Sequence, residues 1–186
     1  MSNLPKRKLG RTGLEVTPLG FGAMELRGAD SGGNNIGPAV SDEDARAVLN
    51  AGINFIDTSI DYGHAEEHIG KHIAHRRSEY YLASKCGCVP NAARGAPTDW
   101  VKRRNYMVPG PVMQDRWESA KLDELRGEMS RMEFTLRFTL SNPDLDTTIV
   151  GTSRVEHLKA NVAAAGRGAL DADVYEEAKK RLAAVA

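Results

Sequence analysis

The sequence predicts a parallel α/β sheet with helices packed along it, and three observations carry that prediction. Short apolar runs of strand length alternate with longer stretches of helical period. The joints between them are short, as in repeated strand–helix units. The apolar runs are continuous rather than alternating, which is the pattern of strands covered on both faces. At 186 residues the chain fits one domain with room for a sizeable core.

Taken in order, Lys8 to Val16 reads as a hairpin turned by Gly10 to Gly13, and Val16 to Phe21 as a first core strand ending at Gly22. A Gly-rich loop over Gly28 to Gly37 leads to a helix. Ser41 is its N-cap, and Asp42, Glu43 and Asp44 fill its first turn. Ala45, Val48 and Leu49 form its apolar stripe, and Asn50-Ala51-Gly52 stops it. Ile53 to Ile56 is the next strand, Ala65 to Arg76 a helix with Ile69 and Ile73 on one face, and Tyr80 to Ser84 a third strand. The pattern lapses from Cys86 to Met113. Regularity returns over Trp117 to Glu128, and Met129 to Leu140 reads as mostly helical. Asp146 to Val150 is a strand and Gly151-Thr152-Ser153 a turn. Helices over Val155 to Ala165 and Asp171 to Ala184 complete the chain.

Composition narrows the function classes. Lys+Arg 25 balance Asp+Glu 25, so net charge argues for neither nucleic acid nor an anionic membrane as partner. The basic run Lys102-Arg103-Arg104 reads as solvated loop. Cys86 and Cys88 stand too close in sequence for good disulfide geometry, and two sulfurs do not make a zinc site. A reduced, cytoplasmic protein is expected, with no apolar stretch near the roughly 20 residues of a membrane span. The first residues lack the apolar core of a signal peptide.

The chemistry is concentrated in Asn54-Phe55-Ile56-Asp57-Thr58-Ser59-Ile60-Asp61-Tyr62-Gly63, with Ser84-Lys85 downstream. Asp57 and Lys85 stand at the ends of successive apolar runs, and Tyr62 lies in the loop after the first. In parallel α/β folds the carboxyl ends of strands carry the active sites. A phenol with a pKa of about 10 is a poor acid at neutral pH. A neighbouring ammonium favours the phenolate, and an aspartate keeps that ammonium charged and in place. A phenol tuned in this way can pass a proton to a carbonyl oxygen as hydride reaches its carbon. The plain structural alternative is that Asp57 caps nearby backbone, Tyr62 packs locally and Lys85 is solvated.

These residues sit within motifs that resemble the aldo-keto reductases. Arg7-Lys8-Leu9-Gly10-Arg11-Thr12-Gly13-Leu14 is similar to the hairpin closing the barrel bottom in that family, and Leu19 to Met24 to its first strand and loop. Gly52 to Thr58, with Asp61-Tyr62-Gly63 and Glu66, resembles the second strand. Ala83-Ser84-Lys85 resembles the third. Arg137 to Pro143 and Thr148 to Ser153 look like the seventh helix and eighth strand, so the motifs cover roughly two-thirds of the chain. The resemblance implies a (β/α)8 TIM barrel that binds NADP(H), NAD(H) not being excluded, and reduces an aldehyde or ketone. Asp57, Tyr62 and Lys85 are then its catalytic residues. Gly22, Ala23, Met24, Gly151, Thr152, Ser153, His157 and Asn161 are its cofactor contacts, with Asn161 on the adenine. Relatives commonly carry a basic side chain where Ser153 stands, and Arg154 is the nearest substitute. No metal ligands are expected.

A complete barrel of this kind needs about 250 residues. The fourth to seventh strands have no recognisable counterpart here, and neither do the family's histidine and nicotinamide contacts. His64, near Tyr62, reads as a solvent-facing loop residue. The expectation is one shortened domain over 1–186, with an N-terminal barrel part at 1–88, an irregular connecting segment at 89–116 and a C-terminal part at 117–186. It keeps about four parallel strands in the order 8-1-2-3. Its open edges and apolar inner face favour a homodimer or larger assembly. Two functions follow: a weak NADP(H)-dependent carbonyl reductase, or a non-catalytic module that binds a nucleotide or a protein.

Overall fold

The computed structural model describes residues 4–28, 40–60, 62–85 and 116–185. The pair Cys86 and Cys88, the run Lys102-Arg103-Arg104, Asp61, nearly all of the Gly-rich loop and all but the last residue of the 89–116 segment lie outside them.

The chain opens with a two-stranded antiparallel hairpin, β1 (Arg7–Lys8) and β2 (Glu15–Val16), turned through Gly10 and Gly13. Both glycines have positive φ (49° and 76°), which a side chain would resist. The hairpin is tied to residues far along the chain. The Arg7 guanidinium donates to the carbonyls of Leu145 (2.9 Å) and Leu140 (3.1 Å), and Gly10 N–H donates to Asp146 Oδ2 (2.7 Å). These bonds plug the hairpin across the end of the sheet.

The sheet has four parallel strands in the order β5-β4-β3-β6: β3 (Leu19–Gly22), β4 (Phe55–Asp57), β5 (Tyr81–Ala83) and β6 (Thr148–Val150). Their pairings bring Gly22 opposite Asp57, Asp57 opposite Ala83, and Phe21 opposite Val150. Barrel order 8-1-2-3, expected from the motifs, is therefore observed. Helices α1 (Asp42–Leu49), α2 (Ala65–Ile73), α3 (Arg131–Leu140) and α4 (Val155–Gly166) supply a common core with one face of the sheet. Leu19, Phe21 and Ile56 from the strands bury against Val48, Ile69, Ile73, Leu136, Leu140 and Leu158. A second, smaller cluster joins Leu122, Phe134 and Leu170 to α5 (Ala172–Ala184) through Ala178.

Several local expectations are corrected. Val16 belongs to the hairpin rather than to the core strand. Pro18 has no N–H to pair, and Thr17 is clamped by Asn54 Oδ1, which accepts from its N–H at 2.6 Å. The helix read as running to Arg76 ends at Ile73 and tightens into a 3-10 segment, Ala74–Glu79. Arg76 leaves helical geometry there, and its guanidinium donates to the Leu49 carbonyl at 2.7 Å and to Asn50 Oδ1 at 3.1 Å, capping the end of α1. Helix α3 starts at Arg131 because Ser130 Oγ accepts from Glu133 N–H at 3.1 Å, whereas Leu122–Glu124 is only a 3-10 turn.

Cover on both faces holds for β3 alone, whose four residues are all buried. On the face away from the helices, a Cβ on Gly20 would lie 3.1 Å from Phe55 Cδ1 and 3.4 Å from Ile149 Cγ1. Phe55 and Ile149 therefore flank that glycine on the inner side of the curved sheet. Phe55 is partly exposed and Ile149 47% exposed, because among the described residues no strand pairs with the outer edges of β5 and β6.

Candidate active site

Asp57 ends β4 two residues after Phe55, so strand alternation directs it to the same inner face. Its neighbour in register, Ala83, ends β5, and Lys85 follows two residues later. The Lys85 ammonium spends its three protons on three acceptors: Asp57 Oδ1 at 2.9 Å, Asp57 Oδ2 at 2.8 Å and the Thr58 carbonyl at 2.8 Å. Thr58 is fully buried, and its N–H donates to the Ala83 carbonyl at 2.8 Å, so the strand ends are locked together beneath the ion pair. The Thr58 carbonyl was not foreseen as part of the site. A backbone oxygen carries no signal in a side-chain motif.

Tyr62 reaches the pair from the β4–α2 loop. Its N–H donates to the Ser59 carbonyl at 3.0 Å, its carbonyl accepts from Ala65 N–H at 2.9 Å, and its ring packs on the main core. Lys85 Nζ stands 4.8 Å from the ring centroid. Desolvation is the largest single influence on Lys85 and pulls it down. The hydrogen-bonded Asp57 carboxylate and the neighbouring Tyr62 together outweigh it, and the ammonium is held above the usual lysine range. The three side chains named from the sequence are thus one contiguous cluster at the carboxyl end of the sheet. The reading of Asp57 as a local cap and Lys85 as merely solvated does not hold. Ser84 Oγ, beside Lys85, donates to Glu66 Oε1 of α2 at 3.2 Å.

His64 is half-exposed, but it does have a partner: its Nδ1 lies 3.0 Å from Glu67 Oε2. Gly28, with φ of 78°, sits so close that a Cβ there would be 3.0 Å from His64 Cδ2. The His64 N–H donates to the Arg27 carbonyl at 3.0 Å, which holds the residue against the first strand's loop.

The residues matched to cofactor binding gather beside the cluster, where β3 and β6 end together. Gly22 and Gly151 nearly touch. A Cβ on Gly22 would lie 3.0 Å from Ile149 Cγ2 and 3.9 Å from Gly151 Cα, so the Ile149 side chain already packs into the space a side chain there would take. Ala23 is buried and Met24 partly so, both in the 3-10 turn Ala23–Leu26. Thr152 Oγ1 accepts from Arg154 N–H at 3.1 Å, and Ser153 is partly buried. Helix α4 begins after Arg154 with no side-chain cap, which leaves its first N–H groups directed outward from a positive helix end. His157 is exposed on its first turn, whereas Asn161 is 8% exposed on the same helix. Glu25, not foreseen from the sequence, lies against Gly151, with Cγ 3.4 Å from where a Cβ would stand. Its carboxylate has to swing aside for an anion to occupy that turn.

A model of the aldo/keto reductase family matches residues 18–110. The chain is 40% identical over 95 residues to the L-galactose dehydrogenase of Arabidopsis thaliana, a match covering 47% of this chain and 28% of the plant protein. It is 32% identical over 118 residues to the 6-dehydroglucose reductase of Novosphingobium aromaticivorans, covering 55% and 37% respectively. The chain thus spans about a third of the length of these relatives. Among solved structures, the holo form of the aldo-keto reductase AKR11C1 from Bacillus halodurans superposes with a TM-score of 0.65 at 19% identity, covering 96% of each chain. A putative aldo-keto reductase from Pseudomona aeruginosa gives 0.57 at 18% identity, covering 90% of this chain and 98% of its own. These structures share the fold, and the four-stranded parallel sheet with its helices is a partial (β/α)8 barrel of that type.

Proposed function

The chain belongs to the aldo/keto reductase family, and we propose that it is an NADP(H)-dependent oxidoreductase that reduces an aldehyde or ketone slowly. The observation that carries this reading is the Lys85 ammonium, bonded to both Asp57 oxygens and standing 4.8 Å from the Tyr62 ring.

The cofactor fits the residues beside that cluster. Gly22 and Gly151 lie side by side next to the uncapped start of α4, which suits a phosphate once the Glu25 carboxylate turns away. Asn161 supplies a buried amide for the adenine end. Thr152, Ser153 and His157 line the same helix start, with Ala23 and Met24 at the end of β3. Bound NADP(H), or NAD(H) in its place, supplies the hydride. Tyr62 Oη holds the proton that the carbonyl oxygen receives. Lys85 faces that phenol with a fixed positive charge, which stabilises the negative charge left as the proton departs. Asp57 keeps Lys85 oriented, and the buried Thr58 carbonyl fixes the third N–H.

The same reading extends to assembly. The outer strands β5 and β6 and the exposed Ile149 leave an apolar inner face that a second copy of the chain would cover.

The test is titration with NADPH followed by its oxidation with a generic aldehyde, comparing the parent with Tyr62→Phe. Micromolar or weaker binding and slow turnover are expected. Tyr62→Phe should lower turnover by about a hundredfold or more, the usual worth of a positioned general acid, with cofactor affinity unchanged. Binding with no Tyr62-dependent turnover would assign the chain to non-catalytic nucleotide binding instead. Absence of binding would remove both readings.

A further inference from the structure

On the outer layer, away from the inner face that carries Asp57, helices α1 and α2 bring together two histidines and a carboxylate. His68 and His72 stand one turn apart on α2, and so share a face of that helix. Asp42, in the first turn of α1, points between them. His72 Nε2 lies 3.0 Å from Asp42 Oδ1, and His68 Nδ1 lies 3.9 Å from the same oxygen. One ligand atom from each of the three falls within 4.8 Å of the others. The two imidazoles are stacked, with centroids 5.9 Å apart and planes 12° from parallel.

From this geometry we propose that Asp42, His68 and His72 form a site for a divalent transition-metal cation of the zinc class. Two imidazole nitrogens and one carboxylate oxygen, with a fourth position left to water, is a zinc donor set, and imidazole also suits copper and nickel. Metal–ligand bonds of about 2.0–2.1 Å at tetrahedral angles separate ligand atoms by about 3.3 Å. The observed 3.0 and 3.9 Å to Asp42 lie on either side of that value, and the two imidazole nitrogens lie within 4.8 Å of each other, so rotation of the two imidazoles toward each other by up to about 1.5 Å closes the site. A second, independent observation points the same way. His68 Nδ1 is buried and has no hydrogen-bond partner, an arrangement that native proteins rarely leave in place and that a cation would satisfy. The histidines are well sheltered, with side chains 16% and 6% exposed.

Lys71 is the competitor. Its ammonium sits 2.8 Å from Asp42 Oδ1, but the side chain is 58% exposed and free to turn into water when a cation arrives. The bound metal would join α1 to α2 across the outer layer. The role is structural, and it does not depend on the reductase reading.

The test uses the full chain stripped with EDTA, with Co(II) as a spectroscopic probe and Zn(II) titrated by calorimetry. A Cys86→Ser/Cys88→Ser variant removes the thiolates from consideration. One equivalent should bind in both backgrounds, with the visible absorption of four-coordinate Co(II) and a rise in Tm on adding Zn(II). His68→Gln and Asp42→Asn should each weaken Zn(II) binding at least about tenfold. Lys71→Ala should tighten it roughly two- to fivefold, a direction that a purely structural lysine–aspartate pair does not produce. Asp42 and Lys71 are exposed, so these two variants decide the matter even if His68→Gln fails to fold. Unchanged affinity in Asp42→Asn, or binding lost in the cysteine variant, would overturn the site.

Discussion

Asn54 offers a sharp test of how the hairpin, β3 and β4 are held in register. It stands immediately before β4, and its side chain reaches back to the β2–β3 junction. Oδ1 accepts from Thr17 N–H at 2.6 Å, and Nδ2 donates to the Glu15 carbonyl at 2.9 Å. The Asn54 N–H in turn donates to Thr17 Oγ1 at 3.2 Å. The Thr17 hydroxyl has one proton, and the Leu19 carbonyl at 2.7 Å is a better acceptor for it than Asn54 Oδ1 at 3.1 Å. Asn54→Ala therefore removes two firm bonds and leaves the N–H of Thr17, a residue only 3% exposed, without its acceptor. At about 0.5–1.5 kcal/mol per bond, plus part of the penalty for an unpaired donor, the cost is about 2–3 kcal/mol. For a chain of this size that corresponds to a fall in Tm of roughly 5–10 °C. Urea unfolding followed by circular dichroism measures it. Thr17→Val keeps the backbone N–H from which Asn54 Oδ1 accepts, so its cost should add to that of Asn54→Ala within about 0.5 kcal/mol. A loss under about 0.5 kcal/mol in Asn54→Ala would refute the clamp, and with it this account of what sets the depth of Asp57.

Two further outcomes are expected. Arg131, then Arg126, hydrogen-bond Asp123 and hold its carboxyl at about 2. The folded pKa lies below the unfolded value near 3.9, so the stability Asp123 contributes is present above about pH 4 and is lost as pH falls through about 2. The parent should be more stable than Asp123→Asn at pH 7, with the gap narrowing steadily between pH 4 and pH 3. A gap that stays constant over that range counts against the ion pairs. For assembly, light scattering should find the parent as a dimer or larger, and Ile149→Lys, at the 47%-exposed inner face, should shift it toward monomer. A stable, monodisperse parent monomer would end the assembly proposal.

Much of the site was legible in the sequence because its carriers are side chains at strand ends. Asp57 and Lys85 close consecutive apolar runs, and parallel pairing alone then brings them to the same edge of the sheet. Ser41, Asp42 and the stripe of Ala45, Val48 and Leu49 defined α1 correctly, since capping and period are local properties. The misplaced boundaries have a common cause. The Arg76 break in α2 answers to Leu49 and Asn50, and the end of β2 answers to Asn54, partners 26 to 39 residues away. Local propensity carries no information about such partners.

What the sequence determined by itself was the periodicity, the caps and the order of strand ends, which are set by neighbours within a few residues. Only the tertiary structure decided that Lys85 gives its third proton to the Thr58 carbonyl, and that Glu25 leans over Gly151. It alone placed Asp42 between His68 and His72. Each of these depends on the distance between elements packed side by side. That distance is fixed by how buried side chains such as Phe21, Ile56 and Ile69 fill the space between sheet and helices.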